Sequence, residues 1–251
     1  MNRLKTLVPS QLRSWLQRRR KAVERGLLRF DRVTDWSVLR RIQPYRPELG
    51  GRRGSYIDRF YVDKFLATHQ DLIRGHVAEI ESNHYTVLYG GDKVERCDVI
   101  DINEQNSSRT LTLDLAETSA APEARFDCIL CTQTLNLIPD CAAAIRTLHR
   151  MLKAGGTLLA TVPGISPQIR GHLVAGAGED IWRFTSRSAQ LAFCPVFGKS
   201  NVHVYAFGNV LTATAFLHGL VQEELTTAEL EYFDPDYEVL IGIKATRPVA
   251  R

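Results

Sequence analysis

Polar side chains that close an apolar strand are where an α/β protein can hold a ligand, and this chain has such a set in Thr132, Gln133 and Thr134. They follow Phe126-Asp127-Cys128-Ile129-Leu130-Cys131, a short apolar run without Gly or Pro that reads as a strand buried on both faces. In a parallel sheet ligands bind beyond the carboxyl ends of the strands, so these three hydrogen-bonding groups are candidates to contact one. Cys128 and Cys131 form a second set with chemical potential. Their C-x-x-C spacing suits zinc or redox work, but three residues apart on a strand places the two thiols on opposite faces, so they read as buried structural thiols.

The elements around these residues follow from the pattern. Asp140 after Pro139 is a start signal, because its carboxylate can accept from the free N–H groups of a first helical turn. Ala142, Ile145, Leu148, Met151 and Leu152 then recur at helical spacing and give one apolar face. Gly155-Gly156 is expected to end that helix, and Thr157 to Val162 is a second buried strand stopped by Pro163-Gly164. Strand, helix, glycine turn and strand make a right-handed βαβ unit of a doubly wound sheet.

The run from Cys131 to Asp140, followed by Leu148-His149-Arg150-Met151-Leu152-Lys153-Ala154-Gly155-Gly156, resembles the fourth-strand and post-fourth-strand motifs of class I S-adenosylmethionine-dependent methyltransferases. The resemblance covers residues 56 to 245 and is strongest over 126 to 164. It implies an α/β fold: a doubly wound, Rossmann-like, seven-stranded and mostly parallel sheet with flanking helices. It also implies S-adenosyl-L-methionine as cofactor. A helix capped by Ser55 and running to Ile73 is expected to cover that cofactor, with Arg59 or Tyr61 touching its methionine end. His76 to Glu81 reads as the first strand, where the family carries an acidic residue, an apolar residue and a glycine-rich loop. Glu79-Ile80 matches, whereas Glu81-Ser82-Asn83-His84 stands where the glycines belong, so Glu81 brings bulk and negative charge beside the site. On the second strand, Lys93 to Ile102, Asp98 and Asp101 are alternative acids for the ribose hydroxyls, since one carboxylate can serve both with its two oxygens. Arg109 to Leu113 is the third strand, and Asp114-Leu115 occupies the adenine position. With Thr132 and Gln133 these complete the expected cofactor site.

After Gly164, Asp180-Ile181-Trp182-Arg183-Phe184-Thr185 resembles a segment of the same superfamily that can wall the substrate pocket, Trp182 by stacking and Arg183 by pairing an anion. Asn201 to Phe207 and Tyr237 to Ile243 read as late strands around an apolar helix, Val210 to Val221, and their order in the sheet stays open.

Residues 1–53 carry 15 Lys/Arg against 4 Asp/Glu, a net of +11, while the whole chain is +4 and residues 54–251 therefore carry −7. Pro44, Pro47, Gly50, Gly51 and Gly54 mark a linker, so the chain divides into a basic N-terminal extension, 1–53, and a methyltransferase-like domain, 54–251. Leu4, Leu7, Val8, Leu12, Trp15 and Leu16 follow helical spacing ahead of Arg18-Arg19-Arg20-Lys21. Such a segment either packs on its own domain or makes peripheral contact with an anionic membrane surface. Five cysteines in no framework spacing point to a reducing compartment, which gives a cytoplasmic expectation, with attachment at the inner membrane face if the arm binds lipid. The implied activity is methyl transfer to a small-molecule or saccharide/lipid-linked acceptor, with His84, Tyr85 and His203 as candidate bases. A nucleic-acid acceptor is disfavoured, because the chain lacks a Pro-Pro-Tyr type motif and a recognisable RNA-binding module. The rival reading is a non-catalytic scaffold that keeps the fold but has lost the glycine loop.

Overall fold

The computed structural model describes residues 41–45, 54–168 and 179–249. The elements below all belong to the unit Gln43–Arg251; the basic arm, apart from residues 41–45, lies outside the described residues. In chain order they are α1 (Ile57–Thr68), β1 (Gly75–Ile80), β2 (Val94–Asp101), β3 (Leu111–Thr112), β4 (Phe126–Thr132), α2 (Cys141–Met151), β5 (Leu152–Pro163), α3 (Ser186–Phe197), β6 (Val202–Phe207), α4 (Val210–Leu217), α5 (Thr227–Glu231) and β7 (Leu240–Thr246). The seven strands are ordered β3-β2-β1-β4-β5-β7-β6, parallel except for β7, which runs against both neighbours. This settles the order of the last two strands: β7 inserts between β5 and β6.

The unit β4-α2-β5 forms for the reasons read from the sequence. The Asp140 carboxylate accepts from the Ala143 N–H at 2.8 Å, a cap worth about 1 kcal/mol. Ala144, Ile145, Leu148 and Met151 bury the apolar face. The glycines behave differently from expectation: the helix already ends at Met151, and Leu152 pairs with Phe126 as the start of β5, so Gly155-Gly156 lies in an irregular stretch of strand rather than at a helix end. Gly155 has φ +80° and its N–H bonds to the Arg247 carbonyl. Thr185 caps α3 as predicted. Ser55 does not cap α1; Tyr56 holds that position without a side-chain bond, and the Ser55 N–H goes to the Glu223 carboxylate at 3.1 Å. The third and seventh strands also start later than the hydropathy suggested, at Leu111 and Leu240.

Two apolar layers sandwich the sheet. One holds Ile129, Cys131, Leu158 and Ala160 against Leu148 and Met151 of α2 and Phe193 and Phe197 of α3. The other holds Cys128, Leu130 and Leu159 against Ile57, Tyr61, Phe65 and Leu66 of α1 and Ala213 and Phe216 of α4. The two thiols therefore face opposite layers, and burial pushes the Cys131 thiol up to about 12, as inert structural groups require.

Two details fix α1 over the sheet. Gly242 of β7 leaves room for the Phe65 ring, since a Cβ there would stand 2.6 Å from Phe65 Cδ2. Only a short 3-10 turn, Gln70–Leu72, separates α1 from β1, so the helix runs antiparallel to β1 and its first turn, with Asp58 and Arg59, lies at the carboxyl edge of the parallel strands.

Candidate functional site

At that edge lies a cleft of about 660 Å³ lined by Arg59 of α1, by Ile80, Glu81, Ser82, His84 and Tyr85 at and beyond the end of β1, by Asp101, Asn103, Asn106 and Ser108 at and beyond the end of β2, and by Thr132 and Gln133 at the end of β4. Five residues expected at the site from sequence meet here: Arg59, Glu81, Asp101, Thr132 and Gln133. Glu79, Asp98, Asp114 and Leu115 are not among the lining residues, and each exclusion has a physical reason.

Glu79 is buried under the first loop. Its carboxylate accepts from the Tyr85 N–H at 3.0 Å and the Thr86 N–H at 2.7 Å, stapling the chain that follows β1. Burial raises its pKa against those bonds. Directly above, Glu81 adopts φ +72°, the left-handed conformation that favours glycine. The bulk expected of Glu81 is accommodated because its side chain is exposed. Its main chain is tied at both ends, the N–H to the Ile100 carbonyl at 2.8 Å and the carbonyl to Asn106 Nδ2 at 2.7 Å.

Asp98 and Asp101 part company in the structure. Asp98 sits within β2, only 2% exposed, and its oxygens take His76 Nε2 at 3.0 Å, Arg125 Nη2 at 2.5 Å, Arg96 Nη2 at 3.2 Å and the Thr110 hydroxyl at 3.2 Å. Burial alone would raise its pKa, but the His76 bond and the charges of Arg125 and Arg96 outweigh this and hold it below the usual carboxylate range. Its acceptors are committed to the protein. Asp101, at the last position of β2, reaches the cleft, where the Asn103 N–H at 2.8 Å and Asn106 Nδ2 at 2.6 Å orient its carboxylate. Asn103, Asn106 and Ser108 were missed from sequence; the signal was the polar run Asn103 to Ser108, rich in residues that bond their own backbone.

Asp114 is half-buried and accepts from the Ala116 N–H at 2.8 Å, while Leu115 is packed in the core. They form a turn after β3, closed by the Glu117 N–H bond to the Asp114 carbonyl at 3.0 Å. Gln133 has φ +52°, its N–H bonds to the Thr161 carbonyl at 2.9 Å, and its Nε2 is buried with no hydrogen-bond partner. Thr134 folds back on the Thr132 carbonyl at 3.0 Å.

Arg59 is surrounded by Asp58, Tyr85 and Glu81; burial works against its charge, but these neighbours more than offset that and hold the guanidinium firmly charged. Tyr85 and His84 line the cleft, whereas His203 is an exposed residue of β6 elsewhere on the sheet. Trp182 donates its indole N–H to the Ile138 carbonyl at 2.9 Å and so ties the segment after β5 to the loop after β4, while Arg183 pairs with Asp180 at 2.8 Å within that segment. Asn136 organises this junction: its carbonyl accepts from Ile181 and Trp182, and its Nδ2 donates to Asp180 at 2.5 Å.

The features of this cleft suit an adenosyl amino acid. An oriented carboxylate closes β2 where a diol would be held, a fixed cation stands at the helix terminus, and an unmatched buried donor awaits an acceptor. Comparison with known proteins points the same way. No curated protein matches the chain. Among solved structures, the [4+2]-cyclase SpnF is 15% identical with a TM-score of 0.51, covering 84% of this chain and 89% of its own. An S-adenosylmethionine-dependent methyltransferase from Archaeoglobus fulgidus is 10% identical with a TM-score of 0.49, covering 75% and 94%. A possible histamine N-methyltransferase from Thermotoga maritima is 16% identical with a TM-score of 0.47, covering 76% and 91%. At 15% identity the likeness to SpnF shows a shared fold and nothing finer. The family model for a methyltransferase domain matches residues 48–193, more than half of the chain. On that match the chain belongs to the class I S-adenosylmethionine-dependent methyltransferases.

Proposed function

We propose that the cleft binds S-adenosylmethionine and that the protein transfers its methyl group to a small-molecule or saccharide/lipid-linked acceptor. The observation that carries the reading is Gln133: a buried side-chain donor without a partner, held in a left-handed backbone at the carboxyl end of β4. Leaving such a donor unsatisfied costs about 1–3 kcal/mol, which a ligand acceptor would recover. Asp101 would take the ribose hydroxyls, Arg59 the carboxylate of the methionine end, and Thr132 and Gln133 would face the space beyond. The bound cofactor supplies an electrophilic methyl group on a sulfonium. The residues around it need only hold an acceptor in line and exclude water. For an acceptor that must lose a proton, Tyr85 and His84 are the cleft groups at hand. Burial raises the Tyr85 pKa, with Arg59 opposing, so Tyr85 serves better as a hydrogen-bond donor than as a base at neutral pH.

The acceptor class and the place of action rest on the basic arm. A charge of +11 over residues 1–53, with Leu4, Leu7, Leu12 and Trp15 beside it, suits an inner membrane face, where a lipid-linked saccharide would be presented. Calorimetric titration with S-adenosylmethionine tests the cofactor reading: binding in the micromolar range that weakens in Gln133→Ala supports it, and no binding at millimolar ligand refutes it. That second result would favour the scaffold reading.

A further inference from the structure

One ionisable group beside the cleft has no place in the account above. Asp58, in the first turn of α1, lies on the same stripe of the helix as Val62, Phe65 and Leu66, four, seven and eight residues on, which are fully buried. Its side chain therefore turns toward the protein, at the carboxyl edge of the sheet. Oδ1 is buried and makes no hydrogen bond. A buried carboxyl oxygen in that state is costly, and proteins keep such a group where a partner of opposite charge arrives. Its charged and titratable neighbours are Arg59, which lines the cleft, Asp63 and Tyr85; Glu81 acts on the same Arg59. The single cation of this group is thus shared between carboxylates, and the α1 side of the cleft is short of positive charge. Thr161 Oγ1 and Gln133 Nε2, at the adjoining ends of β5 and β4, are also buried without partners. These are uncharged and do not supply it.

A sulfonium carries a positive charge but no N–H, so it satisfies a carboxylate by charge without needing hydrogen-bond geometry. S-adenosylhomocysteine, identical apart from the missing methyl, has a neutral thioether at that atom. Building on the cofactor assignment above, we infer that Asp58 lets the site distinguish the charged cofactor from its spent, neutral form. It favours S-adenosylmethionine over S-adenosylhomocysteine through the field of its carboxylate. Glu81 contributes less, because its carboxylate is exposed and screened by solvent.

Isothermal titration of the wild-type protein with each ligand is the first test. The expected result is S-adenosylmethionine binding about tenfold tighter than S-adenosylhomocysteine. In Asp58→Asn the preference should shrink to within about twofold, by loss of S-adenosylmethionine affinity, and Asp58→Glu should restore part of it. Glu81→Gln should change the ratio by less than about threefold. Equal affinities in the wild type would overturn the inference without any variant. So would a tenfold preference that survives in a folded Asp58→Asn protein. If neither ligand binds the wild type, the cofactor assignment itself fails and this inference falls with it.

Discussion

Asp98 and Asp101 lie three residues apart on one strand, and their replacement should produce opposite phenotypes. Asp98 is 2% exposed and takes bonds from His76, Arg125 and Arg96, whose side chains are 18%, 33% and 62% exposed. Removing one partner of a buried ion pair costs about 3–5 kcal/mol because the other charges are left without compensation. The exposed Arg96 adds little, and Arg125 can turn partly to solvent, so Asp98→Ala should lose about 3 kcal/mol. Urea unfolding followed by far-UV circular dichroism should show this as a lower midpoint with an unchanged slope, while the affinity for S-adenosylmethionine stays within about twofold. Asp101→Ala should instead lose about 1 kcal/mol of stability, for the bonds to Asn103 and Asn106, and weaken cofactor binding about tenfold or more. The pH dependence adds a check. The folded-state pKa of Asp98 lies below its ordinary 3.8, so its contribution is fully present above that value and is lost as pH falls through the depressed one. The stability gap between wild type and Asp98→Ala should hold from neutral pH down to about 4 and close only below it. Loss of ligand affinity in Asp98→Ala at unchanged stability would refute the assignment of these two acids.

Gln133→Ala should weaken S-adenosylmethionine binding about three- to tenfold by calorimetry with an unchanged melting temperature, since its Nε2 bonds to no protein group. Asp114→Ala should cost about 1 kcal/mol in urea unfolding through its lost bond to Ala116, and a loss of ligand affinity there would place the turn in the site. Glu81→Gly should leave stability level or raise it by about 1 kcal/mol, as relief of the left-handed backbone offsets the entropy of glycine, whereas Glu81→Val should lose about 1–2 kcal/mol; the two variants melting alike would argue against a positive φ in solution. Full-length protein should sediment with anionic vesicles at low salt and release at high salt, and protein beginning at Gly54 should stay in solution; equal partitioning would remove the arm from membrane binding.

The unit from Phe126 to Pro163 was legible because its signals are local: an apolar strand, an Asp cap and one apolar helix face. Thr132 and Gln133 followed from it, since the end of a parallel strand fixes where its next residues point. Asp98 and Asp101 were not separable, because apolar pattern gives the extent of a strand but not which of its acids meets cations from other strands; Arg125 lies 27 residues beyond Asp98. The left-handed backbone at Glu81 was hidden behind a residue type that rarely adopts it. The burial of Asp58 Oδ1 depended on the seating of α1 over a distant strand, and the place of β7 was equally a matter of long-range pairing.

Gly242 makes that seating a matter of thickness. Thr132, Thr161, Gly242 and Tyr205 are successive partners in one row across four strands, and the missing side chain in that row is the notch into which the Phe65 ring drops. α1 reaches from this notch to the cleft as a single rigid rod, with Arg59 a turn and a half from Phe65. A methyl group added at Gly242 would act as a shim: it would lift the rod in its C-terminal half and shift the guanidinium at the other end with it, altering the cleft from a position that touches none of its lining. The spacing between helix and sheet is thus a tuning dimension of the site, set by a residue chosen for what it lacks.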